Sequence, residues 1–490
     1  MTFFSTILSP VSYTSFRFAT FLLVSLLVYY AVPDRWKERW VLILSLAFYC
    51  TWSYPYTILL GLSVLVFWQA GLRMESAARD ERKFRILRNA VLFQLLLLFS
   101  FKFMQGSSQW GWAKWVMPLG LSYYTFKLIG YAAEVYYKRC PAEKSFVSLA
   151  NYAAFFPQIV SGPIQRAGDF LAQTKSKIKA DPDRLAAGLR LILFGLFKKL
   201  VVADTLGSHV DQFLGGSLRH AGTTGVFATY FIPLQIYADF SGLTDMARGT
   251  AKLFGIDSPV NFKQPFYAAS IPEFWKRWHM TLTSWLTDHL FIPLNLSLRS
   301  WGSFGLYASV SANMVLIGLW HGLTWNFLAF GAFHALLLSA SILTRNARAR
   351  LLKKLPGLKI FRNILAPIWT FHLVTVSFVI FRVDSLAVLL KVWNNLKEAA
   401  VSCCQTVDLR YFVTTNIESG FGFNLQEFIK LSVSLILMET IHAFQNEGSR
   451  GERWFYSAPT AARWVFYIIL GFFIIFFGNY DDSRFVYSFF

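Results

Sequence analysis

Residues 318–338 read GLWHGLTWNFLAFGAFHALLL, an apolar stretch long enough to cross a bilayer that nevertheless contains two histidines, His321 and His334. A membrane-spanning helix needs about 20 predominantly apolar residues with every backbone polar group bonded internally. Similar apolar runs recur along the whole chain of 490 residues, of which 55% are hydrophobic and only 15% are charged. Soluble domains carry roughly a quarter charged residues. The sequence therefore predicts an all-α polytopic membrane protein.

We predict about ten to thirteen helical segments in a single membrane domain that covers residues 1–490. Pro55 is expected to divide the long apolar stretch 40–72 into two helices, because proline interrupts helical hydrogen bonding. The basic stretches 73–89 and 344–362 are expected to be cytoplasmic loops, since Lys and Arg accumulate on that side of a membrane. The candidate spans lie at residues 18–32, 40–72, 90–103, 118–137, 151–163, 185–202, 225–240, 303–320, 323–343, 364–381, 428–444 and 464–477.

The chain carries 47 Lys and Arg against 27 Asp and Glu, a formal net charge of +20. In a polytopic membrane protein this excess indicates cytoplasmic loops that meet anionic lipid headgroups, so we expect no nucleic-acid partner. The four cysteines, Cys50, Cys140, Cys403 and Cys404, form no CxxC or metal-ligand spacing. No metal site is predicted.

Residues 270–294, SIPEFWKRWHMTLTSWLTDHLFIPL, contain too many charges to span a bilayer. Ser270 and Glu273 have the spacing of a capping box, which predicts that a helix begins there. Tryptophans next to lysine and arginine are typical of a membrane interface. We therefore predict one helix in or just below the headgroup plane, carrying His279. At helical spacing its apolar side chains share one face: Phe274, Trp278, Leu282 and Trp285.

His321 has three chemical interpretations: a structural histidine, a proton relay or a general base. An unperturbed pKa near 6.5 suits histidine to taking up a proton at neutral pH. Gly318 and Gly322 flank it and leave room for a substrate to approach. His334 would point roughly 140° away from His321 on one continuous helix, so it is expected to be structural.

Two further stretches carry polar residues at membrane depth. In IYADFSGLTDMARG, residues 236–249, Arg248 lies one turn from Asp245 and predicts an ion pair. Asp239 has no evident local partner and could orient a histidine. In FFPQIVSGPIQR, residues 155–166, two prolines and a glycine indicate either a broken helix that lines a cavity or an ordinary helix end. The chain has no GxSxG, HExxH, Walker A or GxGxxG motif, which argues against serine hydrolases, zinc peptidases, nucleotide-driven pumps and dinucleotide enzymes.

Taken in order, FFPQIVSGPIQR, YADFSGLTDMARG, NFKQPFYAASIPEFWKRWHMTLTSWL and GLWHGLTWNFLAFGAFHAL resemble the membrane-bound O-acyltransferase (MBOAT) superfamily, and within it the bacterial alginate O-acetylation branch. The similarity is densest over residues 118–337, and the C-terminal helices are expected within 364–490. FWKRWHMTLTSWL followed by GLWHG at residues 318–322 is a specific pattern. Two departures are FIPLNLSLRSWGSFG at 291–305, where the branch usually has a Gly-Gly-x-Arg loop, and the ending YSFF, which replaces an aromatic-Gln-aromatic ending.

The resemblance implies a ring of helices with interfacial helices around a central tunnel that is reached from both sides of the membrane. It implies transfer of an acetyl group from a cytoplasmic thioester, with acetyl-CoA as co-substrate and no tightly bound cofactor. The acceptor would be an extracytoplasmic polysaccharide, reached through an SGNH-hydrolase-like partner, and the chain would lie in a bacterial inner membrane. The family's invariant histidine falls on His321 and a second shared histidine on His279.

These expectations assign roles to individual residues. His321 is the general base, and His279 either orients it or donates a hydrogen bond to the thioester or oxyanion. The residues predicted for the tunnel and donor site are Trp275, Lys276, Arg277, Trp278, Trp320 and Asp239. Lys276 and Arg277 are either phosphate ligands of the donor or lipid-facing and solvated side chains. Two other classes stay open: a transporter or flippase with a His/Asp proton relay, and a non-catalytic scaffold of a polysaccharide synthase.

Overall fold

The computed structural model describes residues 11–107, 117–176, 179–214, 223–354, 357–383, 385–405, 425–446 and 448–480. Within these ranges the regular structure is entirely helical. The first ten α-helices are α1 Phe16–Ala31, α2 Asp34–Cys50, α3 Tyr54–Ser76, α4 Asp80–Ser107, α5 Leu121–Tyr136, α6 Phe146–Ala154, α7 Ala167–Thr174, α8 Pro182–Leu196, α9 Asp204–Leu214 and α10 Thr223–Leu253. A π-helical turn, Phe197–Ala203, joins α8 to α9.

The second half of the chain continues in the same way. Its α-helices are α11 Ile271–Trp275, α12 Met280–Leu286, α13 Ile292–Ser297, α14 Gly302–His321, α15 Trp325–Leu343, α16 Arg345–Lys354, α17 Leu358–Arg382, α18 Leu386–Gln405, α19 Leu425–Gln445, α20 Arg450–Ser457 and α21 Thr460–Phe477. The YSFF ending and the side chains of Cys403 and Cys404 lie outside the described parts.

Six of the described helices are long and apolar enough to cross a membrane, namely α3, α4, α14, α15, α17 and α21. The prediction of an all-α polytopic membrane protein is confirmed. The predicted break near Pro55 is also present, because α2 ends at Cys50 and α3 begins at Tyr54 with the proline in its first turn. Proline is tolerated there because the first helical N–H groups have no intrahelical acceptor.

Two sequence predictions differ from the structure. The span predicted at 151–163 is wrong, since α6 ends at Ala154 and residues 155–166 are not helical. The basic stretches expected to be loops are largely helical, with only residues 77–79 between α3 and α4 and with α16 directly after α15. Arg and Lys are good helix formers, so a basic sequence can extend a membrane helix beyond the hydrocarbon.

These connections define two faces of the molecule. The turn between α3 and α4 and the helix α16 are both rich in Arg and Lys, and we call this end the basic face. Because each long helix reverses the chain direction, the ends at Ser107, His321 and Arg382 lie at the opposite face. Lys102 Nζ donates a 3.3 Å hydrogen bond to the carbonyl oxygen of His321 and joins α4 to α14 at that face.

Buried ion pairs between the π-helical turn and α10 explain the two acidic residues of the 236–249 motif. Lys199 Nζ lies 2.8 Å from an oxygen of Asp239 and 2.6 Å from an oxygen of Asp204. Lys198 Nζ lies 2.6 Å from Asp245, which Arg248 approaches more distantly, at 3.8 Å. The predicted Asp245–Arg248 pair therefore exists, but lysines from the π-helical turn are the closer partners of both acids.

Candidate active site

The segment around His279 is not the continuous helix that the sequence predicts. Ser270 caps α11 as expected, its side chain accepting a hydrogen bond from the Glu273 N–H. The helix then ends at Trp275, and α12 begins only at Met280. His279 between them has φ 44° and ψ 52°, a left-handed conformation that costs a non-glycine residue of the order of 1–3 kcal/mol. The surrounding structure must hold this histidine in place.

Asn261 is the residue that holds it. Its side-chain oxygen Oδ1 lies 3.1 Å from Nδ1 of His279. The same oxygen accepts hydrogen bonds from the backbone N–H of Thr281, at 3.2 Å, and from its hydroxyl, at 2.9 Å. The backbone carbonyl of Asn261 accepts a bond from the N–H of Met280, at 2.9 Å. Both the side chain and the main chain of Asn261 therefore fix the turn that carries His279.

This network determines the proton positions on the imidazole of His279. The Thr281 N–H can only donate, so the atom of Asn261 that faces it must be the oxygen. His279 Nδ1 then carries the proton that it donates to that oxygen, and Nε2 keeps its lone pair. Burial lowers the pKa of His279 to about 3, so the ring is neutral at physiological pH. A neutral ring with a free Nε2 lone pair accepts hydrogen bonds and protons there.

A cavity of about 700 Å³ lies next to this histidine. It is lined by His279 and Trp320, by residues 49–56 and 117–120 near the opposite face, and by Val160, Ser161, Gly162 and Ile164 from the non-helical segment 155–166. Of the two interpretations of that segment, the cavity-lining one is correct. Irregular backbone is tolerated at membrane depth where it is buried in protein or lines a cavity.

A buried lysine fixes the segment 155–166 against α5. The Lys127 side chain is fully buried, and its Nζ donates a 2.9 Å hydrogen bond to Gln158 Oε1. The ammonium also lies 4.5 Å from the ring centroid of Tyr152. Gln158 Nε2 in turn donates to Gln165 Oε1 at 2.8 Å. Backbone groups of the segment are met by side chains of other elements, since the Phe156 N–H donates to Ser45 Oγ at 3.1 Å and the Gln165 carbonyl accepts from the Tyr152 hydroxyl at 2.9 Å.

His321 is held mainly by aromatic rings. It is the last residue of α14, and its ring centroid lies 4.5 Å from that of Trp320 and 4.9 Å from that of Phe381. The Trp320 ring also lies 6.4 Å from the ring of His279. The structure thus places both predicted histidines beside one tryptophan. His279 and Trp320 line the cavity, whereas His321 lines neither this cavity nor a second, smaller pocket.

A second pocket, of about 210 Å³, lies on the other side of the Asn261 turn. Asn261 and Met280 line it, together with three cationic side chains, Lys198, Arg248 and Lys263. Asp245 and Arg248 lie in the half of α10 that ends at Leu253. The carbonyl of Leu253 accepts a 2.7 Å hydrogen bond from the Tyr30 hydroxyl, close to the basic start of α2, so this end of α10 lies at the basic face. The second pocket therefore lies toward the basic face, whereas the large cavity lies toward the opposite face.

The structure places the other predicted tunnel residues at varied positions. Trp275 and Trp278 are buried in the core, where Trp275 Nε1 donates to His334 Nδ1 at 3.2 Å. Lys276 is exposed, and Arg277 pairs with Glu273 at 2.6 Å. Asp239 binds Lys199, as described above. Of the six, Trp320 is the one that lines the large cavity.

Sequence reasoning missed Asn261, Thr281 and the cationic wall of the second pocket. Asn261 begins the motif NFKQPF, one of the stretches that resemble the family, but the sequence alone assigns it no role. Asn261 lies outside the helices, so helical periodicity does not predict which way it faces. Its pairing with His279, 18 residues later, depends on a chain reversal that sequence patterns do not predict.

Comparison with known proteins gives one consistent result. The model of the membrane-bound O-acyltransferase family, MBOAT, matches residues 78–379. The chain is 32% identical over 392 residues to a protein described as probable alginate O-acetylase AlgI of Pseudomonas aeruginosa, covering 77% of this chain and 72% of the relative. It is 27% identical over 406 residues to the peptidoglycan O-acetyltransferase of Helicobacter pylori, covering 75% of each chain.

A third relative is named for the transfer of a different acyl group, D-alanyl. The teichoic acid D-alanyltransferase of Streptococcus thermophilus is 31% identical over 286 residues, covering 54% of this chain and 68% of the relative. All three relatives are acyltransferases by name, and the match to the family model spans the Asn261 turn, His279 and His321. The chain belongs to the MBOAT family of membrane-bound O-acyltransferases.

Proposed function

We propose that this acyltransferase passes an acetyl group from acetyl-CoA, bound at the cytoplasmic side, to a hydroxyl of an extracytoplasmic polysaccharide. The observation that carries the proposal is the position of the His279 turn between two pockets. His279 lines the large cavity, and Asn261 and Met280, which hydrogen-bond to each other beside it, line the second pocket. Donor and acceptor can thus approach the same residues from opposite sides.

The charge distribution supports this orientation. Lys and Arg accumulate at cytoplasmic membrane ends, so the basic face is assigned to the cytoplasm of a bacterial inner membrane. The second pocket then faces the cytoplasm. Its lining combines three cationic side chains with one carboxylate, Asp245, and this excess of positive charge suits the phosphates of a coenzyme A thioester. The large cavity, with tyrosines, serines and tryptophans on its walls, suits the acceptor side.

The reaction assigns a separate task to each histidine. The acceptor hydroxyl oxygen attacks the thioester carbonyl carbon while His321 takes the hydroxyl proton. The new C–O bond forms, the C–S bond breaks, and the departing thiolate takes the proton from the histidinium. His279, whose Nδ1–H is committed to Asn261, has only an acceptor at Nε2. Of the two roles expected for it, we therefore propose orientation by accepting a hydrogen bond rather than donation to the oxyanion.

The acceptor class follows from the relatives, whose names include alginate and peptidoglycan O-acetylation. We propose a polysaccharide hydroxyl as the final acceptor, reached through an SGNH-hydrolase-like extracytoplasmic acetyltransferase as partner. The terminal sequence YSFF and the stretch 291–305 depart from the alginate branch. None of residues 291–305 lines either pocket. Alginate, cellulose, peptidoglycan and other exopolysaccharides are therefore candidate acceptors.

The test is transfer of the label from [¹⁴C]acetyl-CoA by purified protein reconstituted in liposomes. Wild-type protein is expected to hydrolyse the thioester or to transfer its acetyl group to a polysaccharide, and His321→Ala to lose this activity by about 10²–10⁴-fold while it inserts normally. Undiminished turnover in the folded variant would remove His321 from the mechanism. Polysaccharide flux without thioester cleavage would instead indicate the transporter, and the absence of both would indicate the scaffold.

A further inference from the structure

The side-chain amide of Asn261 forms hydrogen bonds through its oxygen but, among the described residues, none through its nitrogen. It is 1% exposed, and its oxygen accepts from His279 Nδ1 and from both the N–H and the hydroxyl of Thr281. The two hydrogens of its amide nitrogen, Nδ2, find no acceptor among the residues that the structure describes. A rotation of the amide by 180° does not relieve this, because it would set Nδ2 against the Thr281 N–H, which is also a donor.

A buried amide donor without an acceptor is costly, at about 1–3 kcal/mol. Each such group needs an explanation, and beside a pocket proposed to bind the thioester a partner that arrives with the substrate supplies one. Asn261 lines the second pocket, which the proposed function assigns to the thioester. Its other end binds the histidine that lines the acceptor cavity. The amide therefore stands at the junction of the two sites.

We infer that Asn261 is a catalytic residue whose Nδ2 donates a hydrogen bond to the carbonyl oxygen of the acyl thioester. When the hydroxyl attacks, that oxygen gains the electron pair of the carbonyl π-bond, and the amide stabilises the negative charge until the C–S bond breaks and the carbonyl re-forms. This inference rests on the proposed function. It assigns the oxyanion donor that His279 cannot supply from its unprotonated Nε2.

Two cationic groups of the second pocket are less suited to this role, because each is already paired. The ammonium of Lys198 is already committed to Asp245, at 2.6 Å, and to Gln445, at 2.8 Å. The guanidinium of Arg248 is directed to Asp245 and to the carbonyl of Ser258. Neither contacts the turn that carries His279, whereas Asn261 forms that turn. The amide thus combines an available donor with a fixed position relative to the histidine.

The test uses Asn261→Asp, which keeps an oxygen for His279 and Thr281 but replaces Nδ2 with an atom that is not an amide donor. Loss of one oxyanion-hole donor typically lowers kcat by about 10²–10³-fold. We expect that fall with the KM for acetyl-CoA changed by less than about tenfold, since the bond strengthens in the transition state. The matched control is Asn151→Asp, another asparagine that is 1% exposed, in α6. It is expected to retain wild-type kcat per mole of folded protein.

A second measurement covers the case in which Asn261→Asp does not fold. Acetyl-CoA labelled with ¹³C at the carbonyl is bound to the inactive His321→Ala protein, and its C=O stretch is recorded by difference infrared spectroscopy. A stretch at lower wavenumber than in an apolar solvent is expected from the hydrogen bond. An unshifted stretch, or a folded Asn261→Asp protein with wild-type kcat, would overturn the inference. If wild-type protein neither cleaved acetyl-CoA nor transferred its acetyl group, the proposed function would fail instead.

Discussion

His279 and His334 are equally buried imidazoles that the structure holds in opposite ways. His279 is 5% exposed and His334 is 1% exposed. Nδ1 of His279 donates to Asn261, which leaves an acceptor at Nε2. Nδ1 of His334 accepts from the indole N–H of Trp275, so its Nε2 carries the proton. One histidine therefore presents a lone pair, and the other an N–H.

The surroundings of the two rings also differ. His279 lines the large cavity, whereas His334 packs against Phe274, Trp275 and Phe330, with ring centroids between 4.8 and 6.3 Å away. Burial alone does not separate a reactive histidine from a structural one. What separates these two rings is the tautomer that the neighbour imposes and contact with the large cavity.

The largest expected effect is a difference in activity between matched substitutions at the two rings. His279→Gln removes the ring nitrogen that accepts beside the substrate, so acetyl transfer should fall by about 10²–10⁴-fold. His334→Gln keeps a polar group for the Trp275 N–H and should leave kcat within about threefold of wild type, because no substrate contact is lost. Both are measured as turnover of labelled acetyl-CoA per mole of monodisperse protein. Equal losses in the two variants would show that tautomer and cavity contact do not distinguish these sites.

The sequence predicted the membrane class, the cap at Ser270 and the two histidines of interest, because these depend on local composition and on motifs. It separated His334 from His321 by the periodicity of one continuous helix, and that premise is wrong, because α14 ends at His321 and α15 begins at Trp325. The ion-pair partner of Asp239 could not be predicted from the sequence, because Lys199 belongs to a π-helical turn 40 residues earlier in the chain. Lysines were expected at the membrane surface rather than in a buried ion-pair cluster.

The reversal at His279 was beyond sequence reasoning for a physical reason. Residues 270–294 have the caps and the periodic apolar face of one helix, and local propensity favours its continuation. The contacts with Asn261 and the backbone of the 155–166 segment override that propensity, since the Ile164 N–H donates to Thr281 Oγ1 at 3.1 Å. A left-handed histidine depends on such tertiary contacts, and its position could be found only from the folded structure.

A smaller effect should appear in the pH dependence of stability. The folded protein keeps His279 neutral down to a pKa of about 3, whereas the unfolded chain takes up a proton near pH 6.5. Stability is therefore lost as pH falls below about 6.5, at up to about 1.4 kcal/mol per pH unit from this residue. Melting temperatures in detergent at pH 7.5, 6.0 and 5.0, values chosen to bracket the unfolded pKa, should fall more steeply for wild type than for His279→Gln. Parallel curves would mean that His279 is charged in the folded state or lies in contact with water.

The smallest effect is expected at the hydrogen bond of the structural histidine. Trp275→Phe keeps most of the aromatic packing but removes the indole N–H that His334 Nδ1 accepts, at a cost of about 1 kcal/mol in the free energy of unfolding. Because neither residue lines the large cavity, the folded variant should retain the kcat and KM of wild type. Thermal unfolding gives the first quantity and acetyl transfer the second. A change in KM for acetyl-CoA without a change in stability would instead place Trp275 on the donor path, as the sequence alone suggests, and would make the Trp275–His334 pair part of the site.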